Sequence, residues 1–200
     1  MPSVSFSDPL SREYREIFTH AAIRPERAAE VARLARRINA AGPMARYQAV
    51  SRSTGVPAHV VGILHCLECG LDFSRHLHNG DPLTGRTVRA PRGRPASGEP
   101  PFAWEDSAAD ALGQHHLDAW EDWSVAGIAY VLERYNGFGY RLRRPPAPSP
   151  YLWSFTTAYV SGKYLADHVW SQEAVSRQCG GMALLRALCD AGEARLPEAG

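Results

Sequence analysis

The chain has 200 residues, 44% hydrophobic and 22% charged, the balance of a globular domain and not of a disordered segment. Lys+Arg total 22 and Asp+Glu 21, a formal net charge of +1, which excludes a global electrostatic footprint for nucleic acid. The cysteines Cys66, Cys69, Cys179 and Cys189 are too few for a disulfide scaffold, and no stretch approaches the roughly 18 apolar residues of a membrane span.

Asp8-Pro9 offers a helix start, and Pro25 opens a second run with Ala28, Val31, Leu34, Ala35 and Ile38 at helical spacing. Residues 8–41 therefore read as two helices, stopped by Gly42-Pro43. A short helix spans about 44–54, and Pro57 starts another whose Val60, Val61, Leu64, Leu67 and Leu71 fit a 3.6-residue period. Residues 72–103 change character. Asn79-Gly80-Asp81-Pro82 is a turn cluster, Thr84 to Ala90 alternates as a small hairpin strand does, and 91–101 hold four prolines. Trp104–Leu112 and Trp123–Tyr135 read as helices, the second closed by Asn136-Gly137-Phe138-Gly139. Residues 141–150 form a second loop, 151–170 are aromatic-rich without a clear period, and a last helix is expected over 171–190. No repeat of 20–50 residues is visible. The expected fold is mainly α (α+β), one domain over 1–200. Helices of 1–42 pack on its core, a small β-hairpin is inserted after the fourth helix, and 191–200 form a flexible tail.

Glu68 is the first candidate for chemistry. It follows Leu64 by four residues and Val61 by seven, which puts it at the apolar stripe of its helix. An apolar setting favours the protonated form of a carboxyl, and a general acid needs a proton to give. The competing reading is a carboxylate paired with an arginine at a helix end. Asp81 lies 13 positions after Glu68, and Thr87 six after Asp81. A helix-end Glu facing a hairpin that carries Asp and Thr resembles the arrangement of lysozymes, and the roles that follow are what that resemblance implies. The Glu protonates the glycosidic oxygen, and a second carboxylate stabilises charge or activates water, with the Thr hydroxyl helping to hold that water. Asp72 competes as second carboxylate, although its spacing suits a pair with Arg75.

His65, His76 and His78, with Cys66 and Cys69, raise a metal or redox reading, but His-x-His without further ligands is a weak zinc signal. His76 and His78 are expected in a turn or groove where they hydrogen-bond a ligand or the backbone, Asn79 is a further candidate for substrate contact, and no metal or cofactor is expected. Tyr135, Asn136 and Tyr140 around the Gly137 turn, and Tyr151 and Trp153 further on, offer ring faces and polar ends to a sugar. Tyr159, Lys163, Tyr164 and Asp167 continue that aromatic-polar mixture. Each of these sets could equally be core or helix-capping structure.

The run His65-Cys66-Leu67-Glu68-Cys69-Gly70 resembles the catalytic-Glu helix of the lysozyme superfamily, and Tyr135-Asn136-Gly137-Phe138-Gly139 is similar to the Tyr-Asn-Ala-Gly motif of goose-type lysozymes and soluble lytic transglycosylases. Phe73 to Thr87, Ser149-Pro150-Tyr151-Leu152-Trp153-Ser154 and Ala174 to Gly180 resemble lysozyme-like proteins of bacteria and phages, so the likeness covers about residues 20–190. It implies a helical lysozyme-like fold and cleavage of the β-1,4 bond between N-acetylmuramic acid and N-acetylglucosamine. It carries Glu68 over as general acid, with Asp81 and Thr87 in the Asp-x5-Thr spacing of phage-type enzymes. Cys69 stands where the goose-type and transglycosylase proteins have Ser.

The expectation is thus a peptidoglycan glycosidase of the muramidase or endolysin type. Its rivals are a lytic transglycosylase, a chitinase-like hydrolase and a non-catalytic glycan-binding module. The expected partner is peptidoglycan or a related N-acetylated glycan, bound by a monomer without nucleic acid or membrane span. A holin or an immunity protein would fit its genetic context. No basic segment followed by an apolar run opens the chain, so synthesis in the cytoplasm and arrival at the wall by lysis or dedicated export are expected. Arginines at 86–94 and 141–144 are expected to give a local basic rim.

Overall fold

The computed structural model describes residues 4–166, 168–194 and 196–197. These are mainly helical with one small two-stranded antiparallel sheet. The chain divides into two compact units. One holds the chain up to Arg33 together with Asp122 onward, and the other is Leu34–Glu121. No linker composition marks the first boundary, because it falls inside α2 (Pro25–Asn39). Of the tail expected at 191–200, residues 195 and 198–200 lie outside the described residues. Ala194 is buried, and its N–H bonds Leu188 O.

In the Leu34–Glu121 unit, α3 (Ala41–Thr54) packs on α4 (Ala58–Cys69) and α5 (Trp104–Gln114). Helix α4 is the axis of this core. Val60, Val61, Ile63 and Leu64 are fully buried, each contributing about 1.5–3 kcal/mol of apolar burial. Gly62 allows the close approach: a Cβ there would lie 2.5 Å from Ile38 Cγ2 and 3.1 Å from Tyr47 Cε2. One side of the helix ends in an aromatic nest of Tyr47, His65, Phe73 and Trp104, with the Arg46 guanidinium 4.2 Å from the Phe73 ring centre. The helix stops at Gly70 in the left-handed region (φ 61), where its N–H reaches Cys66 O and the Leu71 N–H reaches His65 O.

The other unit is built on α1 (Asp8–His20) packed against α6 (Val125–Asn136). Ser124 caps α6, accepting from Gly127 N at 3.3 Å, and Gly137 (φ 87) turns the chain out of it. Two single turns follow, α7 (Gly139–Leu142) and α8 (Pro150–Trp153), then β1 (Lys163–Ala166), β2 (Val169–Ser171) and α9 (Gly181–Asp190).

The class is as expected, but the position of the hairpin is corrected. The strand pair is β1–β2 near the C-terminal end, with Tyr164 opposite Trp170, and no strand forms over 84–90. Prolines 91, 95, 100 and 101 lack the N–H that a ladder needs. The last helix is also shorter than 171–190. Residues 169–171 pair as a strand, and the backbone of Gly180 lies against that of Leu152 where a side chain has no room.

Candidate functional site

Glu68 occupies the next-to-last position of α4 and is half-buried, while residues 60–67 before it are buried. A tight reversal docks on this helix end. The His76 N–H donates to Asp81 O at 2.7 Å, Leu83 N–H to Ser74 O at 2.9 Å, and Gly80 N–H to His76 O at 2.9 Å. Arg75 and Pro82 form an isolated bridge, so the hairpin-like element after α4 is 74–83. Cys69 Sγ donates to His76 O at 3.2 Å, and Gly80 (φ 74) lies close to the Glu68 carbonyl. Burial pushes the Cys69 thiol up to about 12, with the Glu68 carboxylate adding to the shift. A thiol held so far in its protonated form is no nucleophile at neutral pH. None of the four cysteines is joined in a disulfide. Among the described residues, no group of three or more His, Cys, Asp or Glu is placed to hold a metal ion.

Asp81 and Thr87 are both buried, and each is a hub of its own loop. Asp81 Oδ2 accepts from Val88 N, Arg89 N and Asn79 Nδ2 at 2.9, 3.0 and 3.1 Å, and Oδ1 takes Arg89 Nε at 2.6 Å. Backbone donors and the Arg89 guanidinium hold its carboxyl well below the usual carboxylate range. Thr87 Oγ1 donates to Pro91 O at 2.5 Å and accepts from Arg94 N at 2.9 Å. Both expected catalytic partners thus spend their hydrogen bonds fastening 79–94.

Three residues expected as candidate substrate contacts make hydrogen bonds within the protein, and His76 takes the backbone alternative. His76 is buried, with Nδ1 2.7 Å from Ser107 Oγ and Nε2 2.7 Å from Gly85 O. His78 is buried, with Nε2 2.8 Å from Asp110 Oδ2, and desolvation lowers its pKa. Asn79 donates to Asp81 and to the Arg89 carbonyl while its Oδ1 accepts from Asp81 N. The turn composition was correctly read as polar, but a 30-residue loop with little secondary structure must satisfy its own backbone, and these side chains do so. Asp72 pairs with Arg75 at 2.9 Å and caps Ser74. Several arginines of the expected basic rim are engaged within the loop, while Arg89, Arg92 and Arg144 stay exposed. Arg86 donates to Pro95 and Gly98 carbonyls, Arg89 pairs with Asp81, and Arg94 pairs with Asp110 at 2.9 Å.

In the other unit, Tyr140 joins Tyr164 and Trp170 in a cluster of mutually tilted rings, centres 5.2–6.0 Å apart. The Tyr164 N–H donates to Tyr140 Oη at 3.3 Å, and Arg143 stacks 3.7 Å from the Trp170 centre. All three rings are half-exposed. Trp170 was missed because 151–170 showed no period. The signal was the short alternation around Tyr164 and Trp170, which fits strands of only four and three residues. Asn136 is exposed at the end of α6, and Tyr135 and Tyr151 are half-buried. Trp153 is only 3% exposed and is core rather than a sugar platform. Asp167 lies outside the described residues.

Glu133 was also missed as a functional residue. It is buried on α6, where its carboxylate accepts from the Tyr14 hydroxyl and from Arg141 Nε and Nη2 at 3.0 and 2.9 Å. The signal was the one used for Glu68, a carboxyl four residues after an apolar helix position, here Ala129.

Comparison of the chain with protein-family models, with curated proteins and with solved structures returns no match. No helix among the described residues is long and apolar enough to cross a membrane.

Proposed function

We propose that the protein is a peptidoglycan glycosidase of the lysozyme type that uses Glu68 as general acid. The observation that carries this reading is the placement of Glu68, half-buried at the end of a largely buried, mainly apolar helix and beside a reversal stapled to that end. A general acid needs a rigid backbone and partial removal from water, and α4 supplies both.

In this reading, Glu68 gives its proton to the glycosidic oxygen as the bond from the sugar's anomeric carbon to that oxygen breaks. Asp81 is engaged on both oxygens, so its part is to hold the loop in place. The developing positive charge is met by the carbonyl oxygen of the substrate's own N-acetyl group. Water then adds to the anomeric carbon and returns a proton to Glu68. Within the other unit, taken by itself, the half-exposed rings of Tyr140, Tyr164 and Trp170 are of a kind suited to sugar faces.

The occupied state of Asp81 favours one second reading, a lytic transglycosylase. Without a water-activating carboxylate, the sugar's own 6-hydroxyl can close on the anomeric carbon. Mass analysis of peptidoglycan digested by the purified protein tests both. Fragments with reducing N-acetylmuramic acid ends support hydrolysis, and 1,6-anhydro ends, lighter by one water, support transglycosylation. Binding without fragments sinks the enzymatic reading, and cleavage confined to N-acetylglucosamine polymers replaces it with a chitinase.

A further inference from the structure

The buried Glu133 opens onto a cleft that the proposed chemistry does not use. Its hydrogen bonds converge on Oε2, from Tyr14 Oη and the two Arg141 nitrogens, while Oε1 accepts none among the described residues. Arg141 extends to Glu13, Nη1 standing 2.9 Å from Oε1 of that residue. Two carboxylates against one guanidinium leave the cluster with a surplus negative charge.

Glu133, Arg141 and Glu13 line a cleft of about 430 Å³, within the roughly 300–1,000 Å³ of small-molecule sites. Ser149 lines the same cleft. It is 4% exposed, and its Oγ has no hydrogen-bond partner among the described residues. It precedes α8 without capping it. A buried hydroxyl is ordinarily paired, so this one marks a place where a ligand group completes the site. The other walls are apolar, chiefly Ile17, Pro148 and Trp153.

We infer that this cleft binds a protonated primary amine carried on an unbranched apolar stem, as in a lysine side chain. The ammonium is a compact cation with three donors and no acceptor, which suits the Glu133 Oε1 and Ser149 Oγ acceptors. A guanidinium fork fits less well, because it prefers both oxygens of a carboxylate and Arg141 already holds Oε2. A neutral alcohol leaves the surplus charge unmet, and an anion is repelled by it. The stem lies along the apolar walls.

The test is a titration of the full chain, followed by NMR shifts, with n-pentylamine and with Nα-acetyl-lysine N-methylamide at neutral pH. 1-Pentanol, pentanoate and n-butylguanidine serve as controls. Saturable binding of an amine, stronger than that of each control, is expected. Binding of both amines shows that a free amine suffices, and binding of the lysine derivative alone shows that the site takes an amine within a peptide. Ser149→Ala should weaken binding by about fivefold without lowering Tm, since that hydroxyl has no protein partner to lose. Glu133→Gln should weaken it by more than tenfold where the variant folds. Absence of saturable binding by either amine, equal binding of 1-pentanol, or unchanged affinity in Ser149→Ala overturns the inference. None of these readouts depends on glycan cleavage.

Discussion

Arg89 closes on Asp81 across eight residues of loop, its Nε 2.6 Å from Oδ1 while the Val88 and Arg89 N–H groups hold Oδ2. Asp81 is thereby the clasp of the segment that follows α4. Asp81→Ala should leave two part-buried backbone donors without their acceptor and cost about 1 kcal/mol or more, seen as a lowered Tm. The depressed carboxyl pKa adds a pH dependence. A folded-state pKa below the unfolded value of about 3.9 contributes stability that is present above that value. It is lost as pH falls below it toward the folded pKa. Asp81→Ala should therefore flatten the acid limb of the stability profile. Glycan cleavage in this variant should fall less than in Glu68→Gln, since in this account Asp81 positions the loop and does not react.

His65 gives a second pH dependence. Its ring is fully buried, hydrogen bonded through Nδ1 to Tyr47 Oη at 2.9 Å, and desolvation lowers its pKa from 6.5 to about 4. A depressed histidine favours the neutral folded form, so stability is full above about 6.5 and is lost as pH falls toward 4. The linked loss approaches about 3 kcal/mol at its limit. Denaturant unfolding of the wild type between pH 7 and 4 should show this fall. His65→Phe should be less stable at pH 7 yet show a shallower fall.

Gly62 is a packing position and not a flexible one. It is mid-helix, and a methyl group would meet Ile38 Cγ2 and the Tyr47 ring. Gly62→Ala raises helix propensity but overpacks the α4 core, so a net loss of about 1–3 kcal/mol is expected in thermal unfolding. A gain in Tm would show that Ile38 and Tyr47 yield without cost.

The Glu133–Arg141 pair predicts a double-mutant pattern. Arg141→Met leaves a buried carboxylate without its cation and should cost about 3–5 kcal/mol. Adding Glu133→Leu should recover more than half of that, because the stranded charge is removed with it. Additive losses in the double variant would mean that the pair is independent of the burial of Glu133.

The helices were legible because long apolar periods encode them. The stripe of α4 and the Asp8-Pro9 and Pro25 starts placed α1, α2 and α4 within a few residues. The hairpin was misplaced because Thr84–Ala90 alternates in hydropathy, yet side-chain clasps from Asp81 and Thr87 satisfy its backbone instead of a ladder. Sequence spacing named Asp81, Thr87, His76 and His78 as polar residues of one loop. It could not tell a residue that faces a ligand from one that fastens a backbone, since that depends on where the N–H and C=O groups of residues 85–94 fall. The Trp153 ring was misread for a related reason: an aromatic beside serine reads alike on a surface and in a core. Glu133 was legible in principle, by the helical spacing that singled out Glu68.

The central claim is that Glu68 supplies the proton for glycan cleavage, and the most direct test is the rate of reducing-end release from purified peptidoglycan by Glu68→Gln beside wild type, with Tm measured on both. Positioned acid catalysis contributes about 10²–10⁴-fold, so a fall of at least about a hundredfold with Tm unchanged is expected. A rate within about twofold of wild type in a folded Glu68→Gln protein, well short of the loss that removal of a general acid brings, would contradict the account.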